Sequence, residues 1–268
     1  MKFGINVWSF PKGVSTEDAI NAAKTLGYDG FEPALTLEQL QLSDTDFDAL
    51  WRSIRKASSD VGIDVPSVAT GLFWRVNPLR DAEGALKIVR KLCRAAEIVE
   101  ARTILVVPGT GLSEMKFDEC LSRLVDFLKR ASSIARGSSV TVGVENVWNR
   151  ILGSPLEMKV VIERVSADNV KVYLDVGNTL PHSLPEHWID VLGADLIAQI
   201  HVKDFSIAEL RFGIPLTGDV NWSAVSRRLR ELGYSGYVVA EVPPYRGHPY
   251  RAAEDTLRSL REIFGGSR

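Results

Sequence analysis

Short apolar runs recur along this chain at near-regular intervals. They lie at 3–8, 30–33, 64–68, 103–107, 140–145, 170–175, 197–202 and 237–241. Most are continuously apolar rather than alternating, the pattern of strands buried on both faces. Between the runs the hydrophobic period becomes helical. Over 85–99, Leu86, Val89, Leu92, Cys93, Ala96 and Val99 make one stripe, with Lys87, Arg90, Lys91 and Arg94 mostly opposite. Eight buried strands separated by amphipathic helices predict an α/β fold, a single (β/α)₈ barrel spanning 1–268. An open doubly wound sheet is the rival. It needs a glycine-rich phosphate turn after the first strand, and NVWSFPKG stands there instead.

An internal echo supports the strand count. TLGYDGFE and ELGYSGYVVAE both read helix end, Gly, Tyr, one residue, Gly, strand, Glu, and related joints precede IDV at Gly62 and ADLIAQI at Gly193. Ser15 and Asp18 are spaced as a capping pair for the first helix. A tail at 265–268 is expected to fray.

Composition narrows the partners. Hydrophobic content of 45% and charged content of 25% are ordinary for a globular protein. A net charge of −2 offers no basic field for a nucleic-acid backbone. No apolar run approaches the roughly 18 residues of a membrane span, and MKFGINVW carries no signal-peptide pattern. The cytoplasm is the expected compartment. Cys93 and Cys120 both fall on apolar helix faces and read as reduced core residues.

The chemistry sits at four strand tips. VTVGVE, VKVYLD, LIAQIH and YVVAE end in Glu145, Asp175, His201 and Glu241, roughly 25–40 residues apart. A buried strand ending in a carboxylate needs a partner or a cation for that charge. In a barrel these tips converge on one mouth. Each residue has an ordinary alternative: Glu145 a helix cap, His201 a satisfied core histidine, Glu241 an ion-pair partner. Packing must then explain four equivalent positions at once. Three carboxylates and an imidazole instead form a hard divalent-metal site, with Mn²⁺ the expected ion and Mg²⁺ or Co²⁺ the alternatives.

In VGVENVW, YLDVGN, IHVKD, PLTGDVNW and VVAEV, taken in order, the chain resembles the xylose-isomerase-like TIM-barrel superfamily over essentially its whole length. The likeness is to the sugar and sugar-phosphate epimerase/isomerase branch, which includes ketose 3-epimerases and hexulose-6-phosphate isomerase-like proteins. The resemblance implies that Glu145, Asp175, His201 and Glu241 bind the metal, and that Glu145 and Glu241 are also the catalytic acid/base pair. It implies proton transfer on a ketose or ketose phosphate through a metal-stabilised enediolate, with 3-epimerisation foremost. Relatives of this kind are often dimers or tetramers, so a homo-oligomer is expected. A lyase of the inosose or dehydroshikimate dehydratase type is the alternative on the same metal site, and a non-catalytic metal- and sugar-binding protein comes third. Apurinic-site endonucleases of the superfamily use three zinc ions and many histidines. Here their positions hold Asn178 and Asn221, and the chain has 4 histidines in all.

Five further residues are candidates for substrate binding. Asn178 stands where several free-ketose epimerases of the family carry His. Lys203 shares the inward parity of His201 and is set to meet substrate or to pair with Asp204 or Asp219. Arg211 follows in the next loop. Trp8 offers a stacking face, as do Phe73, Trp74 and Trp148 with less support. Glu32 is placed to bind a sugar hydroxyl or to position another polar group. Asn6 lies at the same level. His182, His187 and His248 sit in loops, where a surface or capping role is the default, and Arg246 in PPYRGHP is placed either to read a substrate phosphate or to stand as a solvated charge.

Overall fold

The computed structural model describes residues 1–265; residues 266–268 of the expected tail lie outside the described residues. In chain order the strands are β1 (Lys2–Asn6), β2 (Gly30–Glu32), β3 (Ser67–Val68), β4 (Thr103–Val106), β5 (Thr141–Glu145), β6 (Val170–Asp175), β7 (Ile197–Val202), β8 (Asp204–Ser206), β9 (Arg211–Gly213) and β10 (Tyr237–Ala240). Eight of them form one parallel sheet in the order β2-β1-β10-β7-β6-β5-β4-β3. The open edge is bridged by parallel pairs Gly30–Asp64 and Ala34–Ala69. There Phe31 N donates to Asp64 O at 2.9 Å and Leu35 N to Ala69 O at 2.9 Å. The sheet is thus a nearly closed barrel, as the runs predict.

Eight helices pack outside it: α1 (Thr16–Leu26), α3 (Asp44–Val61), α4 (Ala82–Val99), α5 (Phe117–Arg136), α6 (Pro155–Val165), α8 (Pro185–Leu196), α9 (Trp222–Glu231) and α10 (Arg251–Phe264). Short helices α2 (Leu37–Leu40) and α7 (Val176–Thr179) sit in the loops. Ser15 caps α1, accepting from Asp18 N at 3.0 Å. Gly27 and Gly233, the echoed glycines, have φ of 99° and 68°, left-handed values that close a helix end without a Cβ clash. Cys93 and Cys120 are buried and unpaired. Burial pushes the Cys93 thiol up to about 12, which keeps it inert.

The strand boundaries depart from the pattern in explicable places. β1 stops at Asn6 because that side chain caps the next turn, accepting from Trp8 N at 2.7 Å. β3 shrinks to two residues because Pro66, just before it, has no N–H for the ladder. The antiparallel hairpin β8–β9 has no counterpart in the predicted elements.

Register then levels the tips. Glu145 lies opposite Tyr173, Asp175 opposite His201, and His201 opposite Val239. The β6–β7 pairing shifts between Val172, opposite Ile197, and Tyr173, opposite Gln199. Ala198 is the extra residue of that bulge. An unbulged ladder would set Asp175 against Ile200 and turn the imidazole out of the mouth, since strand side chains alternate faces.

Candidate metal centre

Glu145, Asp175, His201 and Glu241 each offer one ligand atom, and these atoms all lie within 4.8 Å of one another. The first three residues are buried and Glu241 is partly so. His201 Nδ1 is 3.7 Å from Glu145 Oε1 and 3.8 Å from Glu241 Oε2. Both spacings exceed a hydrogen bond, so this buried nitrogen has no partner. Asp175 Oδ2 is also without a hydrogen bond, although Lys203 Nζ lies 2.6 Å away, off any bonding direction. An unpartnered buried imidazole nitrogen facing three carboxylates from neighbouring strand ends is what a bound cation would satisfy. The donor set fits a hard divalent ion.

Beneath the centre, Glu32 fixes the imidazole. His201 Nε2 donates to Glu32 Oε2 at 2.7 Å, which turns Nδ1 toward the carboxylates. Glu32 accepts three more bonds, from Asn6 Nδ2 at 2.5 Å, Ser67 Oγ at 2.6 Å and Tyr173 O–H at 2.5 Å. It is fully buried. Of the two roles open to Glu32 in the sequence, the bonds it makes here are those of a group that positions another polar side chain, His201.

The carboxylates are unlike one another. Burial pushes Glu145 up to about 7, reinforced by the Glu241 and Asp175 charges and opposed by His201. Burial also raises Asp175, in part against Lys203. For Glu241 burial acts the same way, but Lys203 and His201 outweigh it and hold the carboxyl below its usual range. His201 is raised well above an ordinary histidine, because Glu32 and Glu145 overcome its desolvation. Buried Lys203, desolvated but facing Asp175, Glu241 and Glu145, is raised as well.

Lys203 ion-pairs with Asp175 and Glu241 rather than with Asp204 or Asp219. Strand alternation explains the correction: Lys203 points inward with His201, and Asp204 points away. Asp204 accepts from Leu216 N at 2.9 Å, Val220 N at 3.1 Å and Trp222 Nε1 at 2.8 Å, pinning the loop after β7. Asn146 performs a similar task between β5 and β6. Its Nδ2 donates to Asp175 O at 2.8 Å, and its Oδ1 accepts from Asp175 N at 2.7 Å. Asn178 N donates to Asp175 Oδ1 at 2.9 Å and Asn178 Nδ2 to Asn146 O at 3.0 Å. Asn221, at the other nuclease-histidine position, caps α9 by accepting from Ala224 N at 3.1 Å.

A cavity of about 200 Å³ stands over the centre. Its walls include Trp8, Trp74, Trp148, Asn178, Lys203 and Phe212, with Glu145 and Glu241 in the floor. Phe212 stacks on Trp148 with ring centroids 5.2 Å apart. It comes from the unforeseen hairpin, so no strand-end count could find it. Phe73 is core, packed edge-on to Phe127. Arg211 lies outside this cavity, exposed and ion-paired with Glu209. His182, His187 and His248 are exposed.

A (β/α)₈ barrel with a metal-type carboxylate–histidine cluster at its C-terminal mouth defines the class of protein. A family model described as xylose isomerase-like TIM barrel matches residues 20–263, and the chain belongs to that family. The L-ribulose-5-phosphate 3-epimerase UlaE of Salmonella typhi is 24% identical over 246 residues, covering 89% of this chain and 86% of that protein. Among solved structures, a D-psicose 3-epimerase in the presence of D-fructose superposes with TM-score 0.78 at 22% identity, over 99% of this chain and 100% of that one. The IOLI protein with a bound zinc atom superposes with TM-score 0.82 at 17% identity, over 99% and 98%. At these identities the structural likenesses speak to fold. Among the described residues no helix is long and apolar enough to cross a membrane.

Proposed function

We propose that this protein is a divalent-metal-dependent epimerase/isomerase acting on a ketose or ketose phosphate, with inversion at C3 as its reaction. The observation that carries the reading is the pair Glu145 and Glu241. Both oxygens lie within 4 Å of His201 Nδ1, yet their surroundings push the two carboxyls in opposite directions. Relatives named as 3-epimerases of L-ribulose 5-phosphate and of D-psicose support the reaction and its substrate class.

Glu145, Asp175, His201 and Glu241 would hold a divalent cation, which would supply Lewis-acid polarisation of the ketose carbonyl and acidify the adjacent C–H. Glu241 would take the C3 proton, the C–H electron pair forming the C2–C3 double bond of an enediol(ate) as the carbonyl π pair moves onto its oxygen. Glu145 would deliver a proton to the opposite face of C3, the double-bond pair forming the new C–H bond as the carbonyl re-forms. In the reverse direction the two exchange roles. Delivery to the neighbouring carbon would interconvert ketose and aldose. Trp8, Trp74 and Trp148 wall the cavity, and Asn178 and Lys203 line it, where they would meet sugar hydroxyls.

Mn²⁺ is the ion of this reading, ahead of Mg²⁺ and Co²⁺. It takes the chain as one barrel domain working in the cytoplasm as a dimer or tetramer. Incubation with Mn²⁺ and a panel of ketoses and ketose phosphates in D₂O tests it. Deuterium at the inverted C3 is expected. Loss of water to a conjugated carbonyl product would establish the lyase instead, and no turnover with intact metal binding would leave a binding protein.

A further inference from the structure

Beside the metal mouth lies a second cavity, of about 360 Å³, between the loop after β7 and the loop after β10. Arg211 and Arg246 line it from opposite loops, with Ser206 and Thr217, and no carboxylate is among its lining residues. Arg211 meets Glu209 only through Nε, so its two terminal amino groups are uncommitted. Arg246 forms no ion pair among the described residues. It is carried on a tight turn: Tyr245 and His248 bridge antiparallel, and Gly247 at φ 77° adopts the left-handed conformation the turn requires. The opposite wall is fixed by Asp204, buried and bonded to the backbone at Leu216 and Val220.

Phe212 is common to this cavity and to the one over the metal centre. Lys203 Nζ lies 4.9 Å from the Phe212 ring centroid. The two spaces are therefore neighbours across one aromatic ring. Two guanidinium groups from separate loops, with the hydroxyl-bearing Ser206 and Thr217 in the same lining and the nearest acid, Glu209, held at Arg211 Nε alone, describe a receptor for a tetrahedral dianion, since each fork can give paired hydrogen bonds to phosphate oxygens. Loops after the seventh and eighth barrel strands are also where such barrels most often hold phosphate.

We propose that this cleft is a phosphate subsite, and that the substrate is a ketose phosphate whose carbonyl end lies at the metal centre and whose phosphate lies between Arg211 and Arg246. The proposal rests on the epimerase reading for the carbonyl end only. Its test uses the Mn²⁺-loaded full-length protein and three probes: a ketopentose 5-phosphate, the same ketopentose without phosphate, and inorganic phosphate. In R211A/R246A, the ratio of kcat/KM for the phosphorylated over the free sugar is expected to fall by about 100-fold, through KM, as loss of charge-assisted bonds predicts. Calorimetric binding of inorganic phosphate is expected to disappear in the same variant. Both quantities unchanged in R211A/R246A would overturn the subsite, as would a wild-type protein that turns over both sugars equally well. If the wild type turns over neither sugar yet binds phosphate in an arginine-dependent way, the epimerase reading fails and the subsite stands.

Discussion

Glu32 and His201 stand 169 residues apart in the chain and 2.7 Å apart in the barrel. Both are fully buried, and the bond between them decides which imidazole nitrogen faces the candidate metal centre. Glu32→Ala strands four donors, at about 1–3 kcal/mol for each unsatisfied group, so a large loss of stability is expected. Glu32→Gln keeps an acceptor oxygen toward His201 and Asn6, while the Ser67 and Tyr173 hydroxyls can rotate to accept from the new amide. That variant is expected to fold and to bind Mn²⁺ about 10–100-fold more weakly, the usual effect of losing an outer carboxylate behind a metal-bound histidine. Calorimetric titration decides it; wild-type affinity in Glu32→Gln would remove the orienting role.

The proposed direct ligands should cost more. Asp175→Asn preserves the oxygen that accepts from Asn178 N at 2.9 Å, so the short turn after β6 survives while the charge is lost. His201→Ala removes the unpartnered Nδ1. Each change is expected to weaken Mn²⁺ binding by more than about 100-fold, beyond what outer partners contribute. Circular dichroism would confirm the fold. Unchanged affinity in either variant refutes the site assignment.

The barrel was legible because its strands are continuous apolar runs, and the four tips because a charged residue closed each run. What escaped depends on register and on loops. The bulge at Ala198 levels His201 with Asp175, and nothing in LIAQIH marks it, because every residue before the histidine is compatible with either register. Lys203 was readable as inward from parity, but its partners follow from which strands are neighbours, a tertiary fact. Tyr173, Ser67 and Gln199 look like ordinary strand residues. Their shared polar network around Glu32 exists only inside the closed barrel, where an unpaired group would be expensive. Phe212 entered the site through a hairpin too short to leave a period.

Glu145 predicts a pH dependence for the metal-free protein. Its folded value is about 7 against an ordinary 4.5, so the folded state binds the proton more tightly than the unfolded chain. Its contribution is complete below 4.5 and lost as pH rises through 7, on the order of 3 kcal/mol. Raised Asp175 and His201 act with the same sign, above 3.8 and 6.5 respectively. Glu241 and Glu32 are lowered, and their opposite effect falls below 4.5. Metal-free Tm is therefore expected to decline between pH 4.5 and 7, and Glu145→Gln to flatten that decline. Scanning calorimetry with a chelator present tests this; an equal slope in the variant would assign the decline to other groups.

Lys203 makes a prediction that separates the metal-free state from the loaded one. Its ammonium lies 2.6 Å from Asp175 Oδ2 and contacts Glu241, so it neutralises two of the carboxylates that would hold a cation. Lys203→Met leaves those charges buried without a partner, a change that typically costs 3–5 kcal/mol. In a chain of this size that corresponds to a drop of roughly 10 °C in metal-free Tm. A divalent ion restores the missing positive charge and no longer competes with the ammonium for the same oxygens. Saturating Mn²⁺ should therefore raise the Tm of the variant by more than it raises that of the wild type, with affinity at least as high. Calorimetric scans with and without Mn²⁺ measure both terms. Equal Mn²⁺ shifts in the two proteins would show that Lys203 and the cation do not share the carboxylates.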